Sequence, residues 1–271
     1  MSKKNTYNAK DIEVLEGLQP VRKRPGMYIG NTNQEGLHHL VNEILDNSID
    51  EVISGYAKNI DFYYKKDNSI MIRDDGRGIP TDFHPKYKNK RAFEIVLTTL
   101  HAGGKFSDRA YKTSGGLNGV GISVVNALSS KLEVQIFHKS KLYSQLYEKG
   151  KQKTKVKIEK CNKKLTGTQI TFIPDKDIFE SIEFSPKKLH SFLKMKAVLA
   201  KGTRISFTID KDLIKDKTPC KDVFIYQKGI IDFFIENFEK RIKITRNNFH
   251  STFDLNTNDK CEIYVSFNTT E

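Results

Sequence analysis

The chain has 271 residues, 29% charged and 37% hydrophobic, with 46 Lys and Arg against 33 Asp and Glu and a net charge of +13. That length suits one large domain or roughly two ordinary ones, enough to bury a real core. No run approaches the ~18 apolar residues of a membrane span, no apolar signal segment follows Met1, and the scattered Cys161, Cys220 and Cys261 give neither a disulfide framework nor a zinc spacing, so the expectation is a soluble, cytoplasmic protein.

A polar arm, Ser2–Lys10, leads into the apolar-periodic stretch Ile12–Leu18, after which Pro20, Arg22-Lys23-Arg24 and Pro25-Gly26 read as a loop. Leu37–Ser54 is the strongest predicted helix. At about 100° per residue, Leu37, Leu40, Val41, Ile44, Leu45, Ile49, Val52 and Ile53 share one apolar face, while Glu43, Asp46, Asn47 and Asp50 line the opposite one. Asn59–Tyr64 and Ser69–Arg73 are predicted as a hairpin, and Asp74–Pro80 as a tight loop. Ala92–Leu100 reads as a helix, His101–Gly121 as a long glycine-bearing loop and Ile122–Leu128 as a short helix. Strands are predicted at Leu132–His138, Leu142–Glu148, Thr154–Glu159 and Thr168–Ile173, then a helix at Pro186–Ala200 and a strand at Arg204–Ile209. A charged linker, Lys211–Lys221, precedes a further unit from Val223. The strands are not separated by crossover helices, so the expected class is α+β rather than a doubly wound nucleotide-binding sheet.

Charge alone decides little, because lysine-heavy usage is as easily compositional bias as a binding surface. The run Lys149–Lys164 alternates Lys with Thr, Val and Ile, as exposed strand faces do. Where cations are missing is more informative. Pro25–Ala57 contains neither Lys nor Arg but holds Glu35, Glu43, Asp46, Asp50 and Glu51, and a second cation-free window, Thr113–Ser130, contains the densest glycine cluster.

Gly116-Leu-Asn-Gly-Val-Gly121 has P-loop glycine spacing, but Ile122-Ser123 stands where the lysine is required. The dinucleotide pattern fails at its last glycine. What remains is a glycine-rich loop running into a helix start, whose backbone N–H groups can surround an anion; the ordinary alternative is a plain surface loop. A solvated helix face usually mixes Lys with Glu, whereas the stripe on Leu37–Ser54 has no cation and places Glu43 and Asn47 one turn apart. A hard cation such as Mg²⁺ accepts such an oxygen ligand, and Glu43 is a candidate to polarise a water for attack on phosphorus. Asp74-Asp75-Gly76-Arg77-Gly78 is either a strand-ending turn or an edge-on acceptor for an exocyclic amine, with glycines allowing close approach.

In this order, these segments resemble the GHKL ATPases, whose four motifs match Glu43-Ile-Leu-Asp-Asn47, Asp74-Asp-Gly-Arg-Gly78, Gly115-Gly-Leu-Asn-Gly-Val-Gly121 and Thr166-Gly-Thr168. Pro20–Gly30, His101-Ala-Gly-Gly-Lys-Phe106 and Gly121-Ile-Ser-Val-Val-Asn-Ala-Leu128 are similar to the B subunits of bacterial type IIA topoisomerases. Thr6–Leu15 and Leu193–Leu199 favour the topoisomerase IV type over gyrase B. The resemblance covers essentially the whole chain. It implies a Bergerat ATPase sandwich at 1–221, with a mixed, mostly antiparallel sheet, helices on one face and an arm at 1–15, followed at 222–271 by the beginning of a transducer domain.

The resemblance further implies ATP and Mg²⁺ as cofactors, Glu43 as general base and Asn47 as the metal ligand. Asp74 would receive the adenine amino group with Thr168 beside it. Arg77, paired with Glu51, would stack at the pocket rim, with Asp50, Gly78, Ile79 and Pro80 along the wall. Lys105, Tyr111 and the stretch Gly116, Leu117, Asn118, Gly119, Val120 and Gly121 would hold the phosphates, and Tyr7 would reach the partner's nucleotide in a homodimer. DNA, a DNA-cleaving A-type subunit and ATP-site inhibitors are the implied partners, with no membrane. Two departures stand out: Asn118 replaces the family's usual His, and His138 occupies a rim position commonly held by Arg. The family's second domain carries a lysine that touches the γ-phosphate, and this chain stops before it, so an N-terminal fragment that binds ATP but hydrolyses it weakly is expected. Gyrase B remains the enzyme alternative, and a non-catalytic basic nucleic-acid-binding module the alternative of a different class.

Overall fold

A single row of alternating side chains organises the fold. Across neighbouring strands, Phe207, Phe62, Ile72, Ile170, Val134 and Gln145 stand side by side in register, all buried. The intervening residues Asp61, Tyr63, Met71, Arg73, Gln135 and Gln169 face the other way and are only half-buried. A sheet with one apolar face must cover that face with helices.

The computed structural model describes residues 8, 11–103, 119–238, 244, 245, 247–255 and 260–269. Its helices are α1 (Gln19–Lys23), α2 (Gly26–Ile29), α3 (Gln34–Ile53), α4 (Ala92–Thr98), α5 (Gly121–Ala127), α6 (Pro186–Leu199) and α7 (Ile230–Phe238). Its strands are β1 (Asn59–Tyr64), β2 (Ile70–Asp74), β3 (Phe83–His84), β4 (Tyr87–Arg91), β5 (Ser129–His138), β6 (Lys141–Glu148), β7 (Lys151–Gln152), β8 (Lys157–Lys160), β9 (Gly167–Pro174), β10 (Arg204–Ile209), β11 (Lys221–Phe224), β12 (Phe249–Asp254) and β13 (Lys260–Val265). Nine strands form one sheet in the order β11-β10-β1-β2-β9-β5-β6-β7, with β8 also on β6. Only β1–β10 is parallel; the other pairs run antiparallel. Helices α3, α5 and α6 lie on the sheet, so the α+β sandwich with a mostly antiparallel mixed sheet is what forms.

Helix α3 is the central cover. Asn33 caps its start by accepting from the Glu35 amide at 2.8 Å. Leu37, Leu40, Val41, Ile44, Leu45 and Ile49 are buried, as the periodicity requires, while Val52 is only half-buried and Ile53 is exposed. The stretch after Leu18, expected as a loop, instead forms α1 and α2. Pro20 sits in the first turn of α1 and Pro25 caps α2, where a fixed φ suits a helix start. The hairpin β3–β4 was not foreseen, because its exposed residues carry no apolar alternation. Of the strand expected at Thr154–Glu159 only the second half forms, as β8 from Lys157, and a separate two-residue strand, β7, precedes it.

Strand β11 spans the expected boundary at 221/222 and hydrogen-bonds to β10, with Phe224 and Tyr226 buried in the main core. Among the described residues, no helix is long and apolar enough to cross a membrane.

Candidate active site

The period of β2 delivers Asp74 to the buried face, in the same row as Ile70 and Ile72 and paired in register with Ile60. The carboxylate therefore lies beneath α3 rather than in solvent, 6% exposed. Three donors from three parts of the chain reach it. Its Oδ1 accepts from the Gly76 amide at 3.0 Å and the Thr168 amide at 3.3 Å, and its Oδ2 accepts from the Ser48 hydroxyl at 3.2 Å. Burial outweighs these hydrogen bonds and pushes its pKa up to about 6. A carboxylate has about four acceptor positions, so one on Oδ2 stays available to a further N–H donor.

Close backbone approach makes this arrangement possible. Gly167, at φ +105°, would place a Cβ 2.0 Å from the Asp74 carbonyl oxygen. Gly78, at φ +78°, would meet Ile136 at 3.0 Å. The Thr168 hydroxyl accepts from the Ile79 amide at 3.1 Å, and the Pro80 carbonyl accepts from Phe93 N–H at 3.2 Å, which ties the loop after β2 to β9 and α4. Asp75 points the other way: it accepts from the amides of Lys58 and Asn59 and from the Asn59 side chain, and so secures the start of β1. The two adjacent aspartates thus divide into one facing the helix layer and one acting as a turn anchor.

Glu51, near the end of α3, grips Arg77 with both oxygens, at 2.7 Å from Nη2 and 3.1 Å from Nε, and also accepts the Arg77 amide at 2.9 Å. The guanidinium lies 3.8 Å over the Tyr56 ring. Asp50 is buried in α3. Asn47 is half-buried one turn after Glu43.

At the other end of this stretch, α5 begins against the Glu43 side chain: a Cβ on Gly121 would lie 2.0 Å from Glu43 Oε2. Val120 caps α5, and Gly119 precedes it at φ +60°. Glu43 is partly exposed and its Oε1 lies 3.1 Å from His39 Nε2, one turn earlier. The hydrogen bond to Glu43 raises the His39 pKa. Sequence reasoning passed over His39, although its i,i+4 spacing to the carboxylate was a usable signal.

The expected cation-free stripe is corrected in one respect. Asp46 is paired with Lys196 of α6, so the cations missing from the α3 sequence arrive from elsewhere in the fold. Tyr7, Lys105, Tyr111, Gly116, Leu117 and Asn118 lie outside the described residues. Two clefts, of about 720 and 440 Å³, open elsewhere on the described surface, and neither is lined by Glu43, Asp74 or Thr168. Among the described residues, no cluster of three or more His, Cys, Asp or Glu side chains is arranged to hold a metal. A carboxylate and an amide oxygen one turn apart, Glu43 and Asn47, still suit a hard cation that keeps most of its shell for water and phosphate oxygens.

Residues 32–178 match the model of the histidine kinase-, DNA gyrase B- and HSP90-like ATPases. The chain belongs to this ATPase family. It is 51% identical over 230 residues to the B subunit of DNA topoisomerase 4 from Rickettsia bellii, covering 84% of this chain and 35% of that protein. It is 46% identical over 244 residues to the corresponding subunit from Caulobacter vibrioides, covering 90% of this chain and again 35% of the relative. The chain therefore spans about a third of the length of the curated relatives it matches. Among solved structures, it is similar to the 43K ATPase domain of Thermus thermophilus gyrase B in complex with an aminocoumarin, with a TM-score of 0.73 at 32% identity, over 88% of this chain and 59% of that one.

Two expected outcomes follow. Because the Asp74 pKa rises from 3.8 unfolded to about 6 folded, its ionisation removes stability as pH climbs between those values. Wild type should therefore gain stability relative to Asp74→Asn on going from pH 7 to pH 4, by up to about 3 kcal/mol, measured by chemical denaturation at each pH. A constant difference between the two proteins would contradict the buried carboxylate. The glycines should also separate. Gly167→Ala meets fixed backbone at positive φ and should destabilise by about 3 kcal/mol or more. Gly121→Ala meets only the end of the Glu43 side chain and should change stability by less than about 1 kcal/mol.

Proposed function

We propose that this chain is the ATP-binding and hydrolysing module of a topoisomerase IV-type B subunit, in which ATP-driven dimer closure drives strand passage, decatenation and relaxation of DNA. The observation that carries the nucleotide reading is the open acceptor position on a buried, otherwise satisfied Asp74 carboxylate. An exocyclic amine supplies the missing donor, whereas a carbonyl at that position does not; adenine is therefore preferred to guanine. The identity of about half the residues shared with the B subunit of topoisomerase 4, against 32% with gyrase B, supports the topoisomerase IV reading.

In this reading the residues divide by task. Asp74 and Thr168 orient the base, while the rigid Glu51–Arg77–Tyr56 assembly, with Asp50, Gly78, Ile79 and Pro80, shapes the surrounding wall. Glu43 holds the attacking water and takes its proton, and His39 keeps that carboxylate in place through the 3.1 Å contact. Asn47 offers its amide oxygen to Mg²⁺, which when bound neutralises phosphate charge. Gly119, Val120 and Gly121, with Gly116, Leu117, Asn118, Lys105 and Tyr111, hold the phosphates, and Tyr7 reaches across the dimer. Residues 1–221 form the ATPase domain and 222–271 begin the transducer. The full-length protein works in the cytoplasm with DNA and an A-type DNA-cleaving subunit, and the site is open to ATP-site inhibitors.

Calorimetric titration with a non-hydrolysable ATP analogue and Mg²⁺ tests the reading. Binding should weaken by about 1–3 kcal/mol in Asp74→Asn, because the amide turns one acceptor into a donor, and the guanine analogue should bind wild type poorly. Equal affinity for both bases would remove Asp74 from base recognition. In the full-length protein, Glu43→Gln should lower turnover by about 10²–10⁴-fold while retaining nucleotide binding; near-normal turnover would refute the general-base role.

A further inference from the structure

The sheet edge away from β11 is strongly charged. Residues 139–164 carry ten lysines and two glutamates. Lys149 pairs with Asp175 and Asp177, Lys153 with Glu148, and Lys157 with Glu159. The other seven lysines are exposed and make no ion pair among the described residues. The strand register sharpens this excess, because Lys141 stands directly opposite Lys160 across β6 and β8. Like charges in that position destabilise a sheet. The β5–β6 turn beside them is built from Lys139 and Ser140, both at positive φ, where glycine or asparagine is favoured.

A second basic element stands beside this edge. Hairpin β3–β4 exposes Lys86, Lys88 and Lys90, and its Arg91 guanidinium lies 5.4 Å from the Tyr143 ring of β6 and 4.4 Å from the Phe83 ring. A cleft of about 440 Å³ runs between the hairpin and the β7–β8 segment, with Arg91, Lys153 and Lys155 on its walls and Asn89, Gln152 and Thr154 offering polar donors. Its one lining carboxylate, Glu94, is buried and already accepts from Arg91 N–H, Gln145 and Gln152. Phe83, 57% exposed, lines the cleft on the hairpin, and the same hairpin exposes Tyr87 at 43%. The sequence shows no basic-aromatic platform because Phe83 lies about seventy residues before Lys153 and Lys155, the lysines it joins.

We propose that the groove between β3–β4 and the β7–β8 segment binds the phosphate backbone of DNA. Arg91 on one wall and Lys155 with the Glu148-paired Lys153 on the other match a line of phosphates, side-chain amides and a hydroxyl add neutral donors, and the exposed Phe83 ring offers a stacking face for a base. An acidic peptide would use the same charges, but the exposed Phe83 ring flanks the cleft rather than forming an apolar anchor pocket. The choice of DNA among polyanions rests on the topoisomerase reading above; the charge arrangement does not.

The test is fluorescence anisotropy of the chain with a labelled duplex of about 20 base pairs, and with the matching single strand, from about 50 to 200 mM salt. Wild type should bind, with log affinity falling linearly in log salt. Lys153→Gln and Lys155→Gln combined, the two lysines that line the cleft, should bind at least about tenfold more weakly at the lowest salt, with a slope reduced by about two. The matched pair Lys176→Gln and Lys217→Gln, outside the groove, should retain wild-type binding. Tighter binding of the duplex supports a backbone track, and tighter binding of the single strand supports stacking on Phe83. Equal loss in both sets, no binding by wild type at about 50 mM salt, or displacement by polyglutamate as effective as by unlabelled DNA would each overturn the proposal. Calorimetry with the ATP analogue on the groove variant should give wild-type affinity. That control shows the variant is folded and separates failure of this groove from failure of the nucleotide reading.

Discussion

A carboxylate placed inside an apolar layer is the constraint around which this structure is arranged. Burying Asp74 beneath α3 disfavours its charge, and only converging donors offset that. They come from the helix above it (Ser48), from the loop beyond it (Gly76) and from the adjacent strand (Thr168). Each must approach within hydrogen-bond distance at once. Glycines at 76, 78 and 167 occupy positions where a Cβ would strike Glu51, Ile136 or the Asp74 backbone. The loop, the strand and the helix therefore cannot be displaced independently of one another.

The acidic face of α3 follows the same logic at the periphery. Glu51 is held by Arg77, Asp46 by Lys196 and Glu43 by His39. Each pairing fixes a carboxylate against a different neighbour: the loop after β2, helix α6, and the preceding turn of α3 itself. Glu43 differs because its partner is an imidazole and its side chain remains accessible against the start of α5. That combination suits a group that must handle a proton, whereas the bidentate Glu51–Arg77 pair suits one that must not move.

The two faces of the sheet give the molecule two kinds of surface. Its buried face collects apolar side chains and the Asp74 carboxylate. Its far edge, by contrast, gathers ten lysines, seven of them without an ion pair among the described residues, beside a hairpin that adds arginine, lysine and exposed aromatics. The charge balance of the whole chain, +13, is thus unevenly distributed.

Much of the fold could be read from local pattern. The 3.6-residue apolar period of Leu37–Ile49 and the alternation in β1, β2, β5, β6 and β9 place the central helix and most of the sheet, because burial on one face imposes those periods. The spacing Glu43–Asn47, the Asp–Gly loop and the Thr-Gly-Thr strand start were equally visible. Short polar elements escaped: α1, α2 and the β3–β4 hairpin have too few buried residues to leave a period, and their form depends on proline φ and on contacts with distant segments. Tertiary structure alone decided which of Asp74 and Asp75 faces the helix layer, that Lys196 supplies a cation absent from α3, and that Phe83 joins lysines far along the chain. Sequence determines which groups are available and their local period. Pairings between residues from about 26 to 150 positions apart arise only when strand register and helix packing bring them within hydrogen-bond or ion-pair distance.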